Sequence, residues 1–181
     1  MEFTKENLNI ESGLKKEWII TNGIGGFASS TIIGANTRKY HGLLIAPLTP
    51  PARRMLILSK LDESIEIDGN KYNLYTNICQ NYISKGYKYQ ESFTKELLPT
   101  FEYKVEDIEI TKTICMEHFK NTVGVYYKIK NGNCKNKLTA NTPKIGVDIE
   151  SNDISNINFG IAERPKQKIR LDKYVKEAKI T

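Results

Sequence analysis

Residues 17–46 read EWIITNGIGGFASSTIIGANTRKYHGLLIA, and this stretch decides the fold. It opens on an apolar, β-rich run, Trp18-Ile19-Ile20-Thr21, followed by the turn-forming Asn22-Gly23-Ile24-Gly25-Gly26. A second β-rich run covers residues 27–34, then a polar corner, Ala35-Asn36-Thr37-Arg38-Lys39-Tyr40-His41-Gly42. A third apolar run, 43–46, leads into Pro47. Two strand-like runs around an Asn-Gly turn predict a hairpin, because Asn and Gly accept the positive φ that such a turn needs. Asn22, Arg38, Tyr40 and His41 are the densest polar chemistry in the chain, and all lie at strand ends.

Working outward, the same rhythm continues. Residues 54–58 predict a strand. Residues 64–75 alternate on either side of Asp68-Gly69-Asn70, a second hairpin with Ile65, Ile67, Tyr72 and Leu74 available for burial. Residues 100–105 and 108–116 alternate cleanly around Glu106-Asp107, with Ile108, Ile110, Lys112 and Ile114 on one parity. Residues 123–130 form a further strand closed by Asn131-Gly132-Asn133. Strands at spacings of about 8–12 residues with turn signals between them indicate an all-β antiparallel sandwich. Pro47, Pro50 and Pro51 predict a loop that cannot continue a ladder, since proline lacks the N–H.

Three segments follow: a polar N-terminal segment (1–16), disordered or at a sheet edge, a β-sandwich (17–137) and a divergent tail (138–181). In the tail, residues 145–149 suggest a strand. Leu171, Tyr174, Val175 and Ala178 share a 3.6-residue period, so residues 170–179 suggest a short amphipathic helix.

The opening block carries a resemblance. W-I-I-T-N-G-I-G-G-F-A-S-S-T followed by G-A-N-T-R-K-Y-H-G-L-L resembles the start of the N-terminal domain of bacterial and archaeal glycogen debranching enzymes of the amylo-α-1,6-glucosidase type. Residues 53–63, RRMLILSKLDE, and Thr111-Lys112-Thr113-Ile114-Cys115-Met116 resemble later blocks in order, so the resemblance runs from about residue 11 to residue 133. It implies a supersandwich-like accessory domain. Its partners would be an α-glucan and a helical α-1,6-glucosidase domain, joined in cis or supplied in trans. In that family the catalytic carboxylates belong to the helical domain, which has no counterpart in these 181 residues. No catalytic residue is therefore carried over, and the chain alone is expected to be inactive. The alternative is a free-standing carbohydrate-binding or structural β domain. A complete small hydrolase is the third reading. Whether the tail is native, truncated or frameshifted stays open.

Composition narrows the classes. A formal charge of +6 and a pI near 9.1 raise the question of nucleic acid, but the lysines are interleaved with Asp and Glu. No basic run exceeds Arg38-Lys39 or Arg53-Arg54, so a solvated lysine-rich surface is expected instead. Cys79, Cys115 and Cys134 form no C-x-x-C pair, and Cys115 is read as an inert core thiol. An apolar signal region is missing, and no run is long enough to span a membrane, which points to a reducing cytoplasm.

Each motif has a bland reading beside it. Gly23-Ile24-Gly25-Gly26-Phe27-Ala28 fits the dinucleotide pattern G-x-G-x-x-A, but β-branched residues follow where a helix is needed, and the nearest later carboxylate is Asp62. A cofactor is accordingly not expected. His41 faces a carbohydrate or the catalytic domain in one reading. In the other it is a buried structural histidine whose ring bonds a loop carbonyl, with Arg38 pairing Asp62 or Glu63. His118 is the other histidine, and neither has the carboxylate spacing of a metal site. Glu17, Asp62, Glu63, Glu91 and Glu117 are candidate glycosidase carboxylates by type only. Tyr82, Tyr87 and Tyr89 are candidate sugar platforms, whereas Trp18 is expected in the core. Asn22, Arg38, Tyr40 and His41 are expected to gather at one end of the sandwich as a substrate or domain interface.

Overall fold

A computed structural model describes residues 1–49, 52–79, 82–132, 138–141 and 157–158. The elements are β1 (Glu2–Thr4), α1 (Ile10–Lys15), β2 (Glu17–Thr21), β3 (Phe27–Thr31), β4 (Gly42–Thr49), β5 (Ala52–Leu58), β6 (Ser64–Ile67), β7 (Asn70–Asn73), β8 (Thr76–Cys79) and β9 (Tyr82–Lys85). A 3-10 helix, Gly86–Tyr89, leads into β10 (Gln90–Lys95), β11 (Pro99–Val105), β12 (Ile108–Met116), β13 (Val123–Asn131), β14 (Leu138–Asn141) and β15 (Ile157–Asn158). The fold is the expected all-β antiparallel sandwich. A six-stranded sheet, ordered β1-β10-β11-β12-β13-β15, faces a four-stranded sheet, β2-β3-β4-β5, and a three-stranded sheet, β14-β6-β7. The hairpin β8-β9 forms a separate two-stranded sheet.

Alternation along β11 and β12 builds the inner face. Phe101 opposes Lys112, Tyr103 opposes Ile110, and Val105 opposes Ile108, all buried. Across the sandwich Trp18 meets Phe101 edge-on, with ring centroids 6.2 Å apart, so the two large sheets share one core. Trp18 is buried as expected, and its indole N–H donates to the Thr31 carbonyl at 3.2 Å.

The second hairpin forms as read. Ile67 pairs with Asn70, and Asp68 and Gly69 have φ of +48° and +82°, the two positive values of a primed two-residue turn. The first hairpin also forms across the expected turn residues, although its second strand is shorter than the expected 27–34. Thr21 pairs with Phe27, so the connection is a five-residue loop, 22–26, and β3 ends at Thr31. The Asn-Gly pair starts that loop and makes no two-residue turn, because the Asn22 N–H bonds the Gly26 carbonyl at 3.1 Å.

Pro47 lies inside β4, opposite Arg54, and does not end it. Pairing of β4 with β3 stops at Ile45, so beyond that point only β5 flanks the strand, and a missing N–H on the free side costs no ladder bond. In the N-terminal segment β1 is an edge strand against β10. The helix α1, unforeseen in the sequence reading, is started by Asn9, whose side chain accepts from the Ser12 N–H at 2.8 Å in a reciprocal capping box. Cys115 is half-buried on β12. The expected strand at 145–149, the expected helix at 170–179 and Cys134 lie outside the described residues. Among the described residues no helix is long and apolar enough to cross a membrane.

Candidate functional site

The polar corner forms around a residue the sequence reading had named only as a carboxylate. Glu17 opens β2, and the Arg38 Nε donates to its Oε1 at 2.5 Å. The same oxygen lies 3.5 Å from the His41 Nε2. Arg38 therefore pairs with Glu17 and not with Asp62 or Glu63. Its side chain is 70% exposed, and a pair so open to solvent contributes about 0–1 kcal/mol.

His41 is buried, as its structural reading required, but its ring does not bond a carbonyl. Its Nδ1 accepts the Thr37 N–H at 3.1 Å. An accepting Nδ1 carries no proton, so the imidazole is neutral with its proton on Nε2, aimed toward Glu17. Burial pushes the His41 pKa below its usual 6.5; Glu17 opposes that shift and Arg38 adds to it. With a depressed native pKa, the unfolded chain binds the extra proton, so stability falls as pH drops below about 6.5. Thermal melts between pH 7.5 and 5.5 are expected to show this slope flattened in His41→Gln. An equal slope in both proteins would remove His41 as the source. Tyr40 is exposed, with the Lys39 ammonium 5.5 Å from its ring centre.

Asn22 does not join this group. It follows the last residue of β2, whereas Glu17 is the first, and five residues of strand separate the two by roughly 17 Å at about 3.3 Å per residue. Its side chain is fully buried. Of the four residues, Arg38 and His41 meet at Glu17, Tyr40 lies exposed beside them in the chain, and Asn22 sits at the other end of β2.

The Asn22 end has its own construction. The loop 22–26 packs against residues 117–122, and the Phe119 N–H bonds the Asn22 carbonyl at 2.7 Å. Here His118, Phe119 and Arg54 are exposed. Only the polar Glu117-His118-Phe119-Lys120-Asn121 gap between two apolar strands hinted at this loop in the sequence.

A third polar cluster is internal. The Lys112 ammonium and the Tyr127 hydroxyl both donate to the Glu63 Oε1 between the sheets. A cavity of about 20 Å³, room for about one water, lies beside it and is bordered by Asn36, Ser59, Lys60, Thr76, Tyr103 and Lys112 among others. Burial and the Glu63 charge push the Tyr103 and Tyr127 hydroxyls well above their usual pKa.

Each of the five candidate carboxylates meets a cation: Glu17 with Arg38, Asp62 with Lys60, Glu63 with Lys112, Glu91 with Lys5 and Glu117 with Lys120. Among the described residues no three His, Cys, Asp or Glu side chains come together as a metal site. Of the tyrosines named as sugar platforms, Tyr82 is exposed, whereas Tyr87 and Tyr89 are half-buried against the core. Tyr89 meets Tyr72 edge-on at 5.9 Å.

Residues 16–145 match the profile of one protein family, described as glycogen debranching enzyme N terminal. Comparison with curated proteins found no match, and neither did comparison with solved structures.

Proposed function

Because this chain belongs to the glycogen debranching enzyme N-terminal family, we propose that it is the non-catalytic β-sandwich of a debranching enzyme. In this reading it braces a helical α-1,6-glucosidase domain, in cis or in trans, and helps to form the cleft for a branched α-glucan in the cytoplasm. The observation that carries the non-catalytic part is the state of the carboxylates. Glycoside hydrolysis needs two of them facing each other across the scissile bond, about 5–9.5 Å apart. Here each of the five candidates is held by its own cation, including the adjacent Asp62 and Glu63, whose partners are Lys60 and Lys112.

Exposed apolar side chains support packing against a partner. Ile78 and Ile83, 43% and 50% exposed, oppose each other on the separate hairpin β8-β9. Paired exposed isoleucines on a two-stranded ribbon suit an interface better than open water.

Purified chain is expected to release no glucose from a branched α-1,6-linked limit dextrin above a blank. Mixed with a helical domain of the same enzyme family from the same genome, it is expected to co-elute and to raise glucose release. Release by the chain alone that vanishes on substituting one of its carboxylates would overturn the non-catalytic reading. A strictly monomeric chain that leaves the helical domain's elution and activity unchanged would favour a free-standing domain.

A further inference from the structure

We propose that the loop end of the β2-β3 hairpin is a sugar-binding platform, on which the Phe119 ring stacks against a glucose face while Arg54 and His118 hydrogen-bond its hydroxyls. The first observation is a strained aromatic. Phe119 has a φ of +61°, a left-handed conformation that a bulky residue adopts at a cost, and its ring is 65% exposed. Folding gains little from holding an apolar ring in water by a strained backbone. The strain is imposed from outside the residue, since its N–H bonds the Asn22 carbonyl at 2.7 Å and the Lys120 N–H closes a turn on the Glu117 carbonyl at 3.3 Å.

The second observation is the surroundings of that ring. His118 lies against it, with centroids 3.9 Å apart and planes tilted by 46°. Gly23, at φ +82°, lies beneath both rings, and a Cβ there would come within 2.8 Å of the His118 Cε1. The Arg54 Nε donates to the Gly25 carbonyl at 2.8 Å, and the guanidinium carbon sits 5.9 Å from the Phe27 ring centre. Arg54 is thereby positioned while its terminal nitrogens stay available.

An exposed ring against an imidazole, on a loop pair that also anchors the Arg54 side chain at Gly25, matches a neutral sugar, whose C–H face is apolar and whose edge is hydroxyl. It fits a polyanion less well, because the neighbouring Lys120 is paired with Glu117 at 2.5 Å. That the sugar is an α-glucan rests on the function proposed above; the platform itself rests on the geometry.

The test is a ¹⁵N NMR titration of the 181-residue chain with maltoheptaose, with cellohexaose as control. The expected affinity is weak, on the order of 1 mM, with shifts confined to residues 22–26, 54 and 117–121. Phe119→Gly is the deciding variant, because glycine accepts this φ without strain. It is expected to melt at or above the parent's temperature and to bind about tenfold more weakly. Leu97→Ala, at an exposed residue between β10 and β11, is expected to bind like the parent. Phe119→Gly binding as well as the parent, shifts confined to other residues, or equal shifts with cellohexaose would overturn the assignment. Absence of maltoheptaose shifts, with Phe119→Gly weakening a complex with the helical domain, would make this end a protein contact instead. Failure of the debranching reading shows separately, as no complex with the helical domain.

Discussion

Lys112→Ala is expected to destabilise the fold by about 3–5 kcal/mol, because it leaves the Glu63 carboxylate buried without a counter-charge. Lys112 is 9% exposed and Glu63 7%. The ammonium stands on the inner face of β12, between its cross-strand neighbours Phe101 and Tyr127, and 5.8 Å from the Phe101 ring centre. The Tyr127 hydroxyl would still donate to the stranded oxygen, but it carries no charge. For a chain of this size the loss corresponds to roughly 6–20 °C in melting temperature. The double variant Glu63→Leu with Lys112→Met removes both charges and is expected to be near neutral or more stable, since neither ion then has to leave water. Urea unfolding of the two singles and the double closes the cycle. A loss under 1 kcal/mol in Lys112→Ala would mean that solvent reaches the pair.

The pair shows how far the sequence could be read. Lys112 falls on the same parity as Ile108, Ile110 and Ile114, so its inward direction follows from the period of two alone. Its partner does not, because Glu63 lies 49 residues away on the opposite layer, and no local rule reports a contact across a sandwich. The hairpins at 64–73 and 100–116 were legible because each turn is two residues long and sets the register of both strands. The bounds of the loop 22–26 were legible from its Asn and Gly content, but its packing against residues 117–122 was not, because those lie far along the chain. The structural alternative for the corner named Asp62 or Glu63 as the partner of Arg38 for a similar reason. Only the antiparallel pairing of Glu17 with Thr31 brings the start of β2 to the corner after β3. Local periods report faces and turns; the candidate sites are made where distant loops meet.

Asn22→Ala is expected to cost roughly 2–5 kcal/mol, and to do so without removing any group that faces solvent. The Asn22 side chain makes four hydrogen bonds. Its Oδ1 accepts from the N–H groups of Ile24 at 3.2 Å and Gly26 at 2.8 Å. Its Nδ2 donates to the Lys120 carbonyl at 2.8 Å and to the Asn121 Oδ1 at 3.0 Å. These partners fix the orientation of the amide, since two backbone donors must meet its oxygen. Gly26 packs so closely on the amide that a Cβ there would strike it. Alanine leaves the buried Gly26 N–H without its partner, and each such orphan costs about 1–3 kcal/mol. Part of the remaining loss is recovered by water at the exposed Lys120. Asn22→Asp separates the two halves of the network: it keeps the acceptor for Ile24 and Gly26 but loses both donors and sets a charge in a buried site. Both variants are expected to melt well below the parent, and hydrogen exchange is expected to speed up first at the Gly26 and Phe119 amides. If Asn22 faced a sugar instead, Asn22→Ala would melt with the parent and lose only binding. That pattern would return Asn22 to the surface and undo the separation of the two ends of β2.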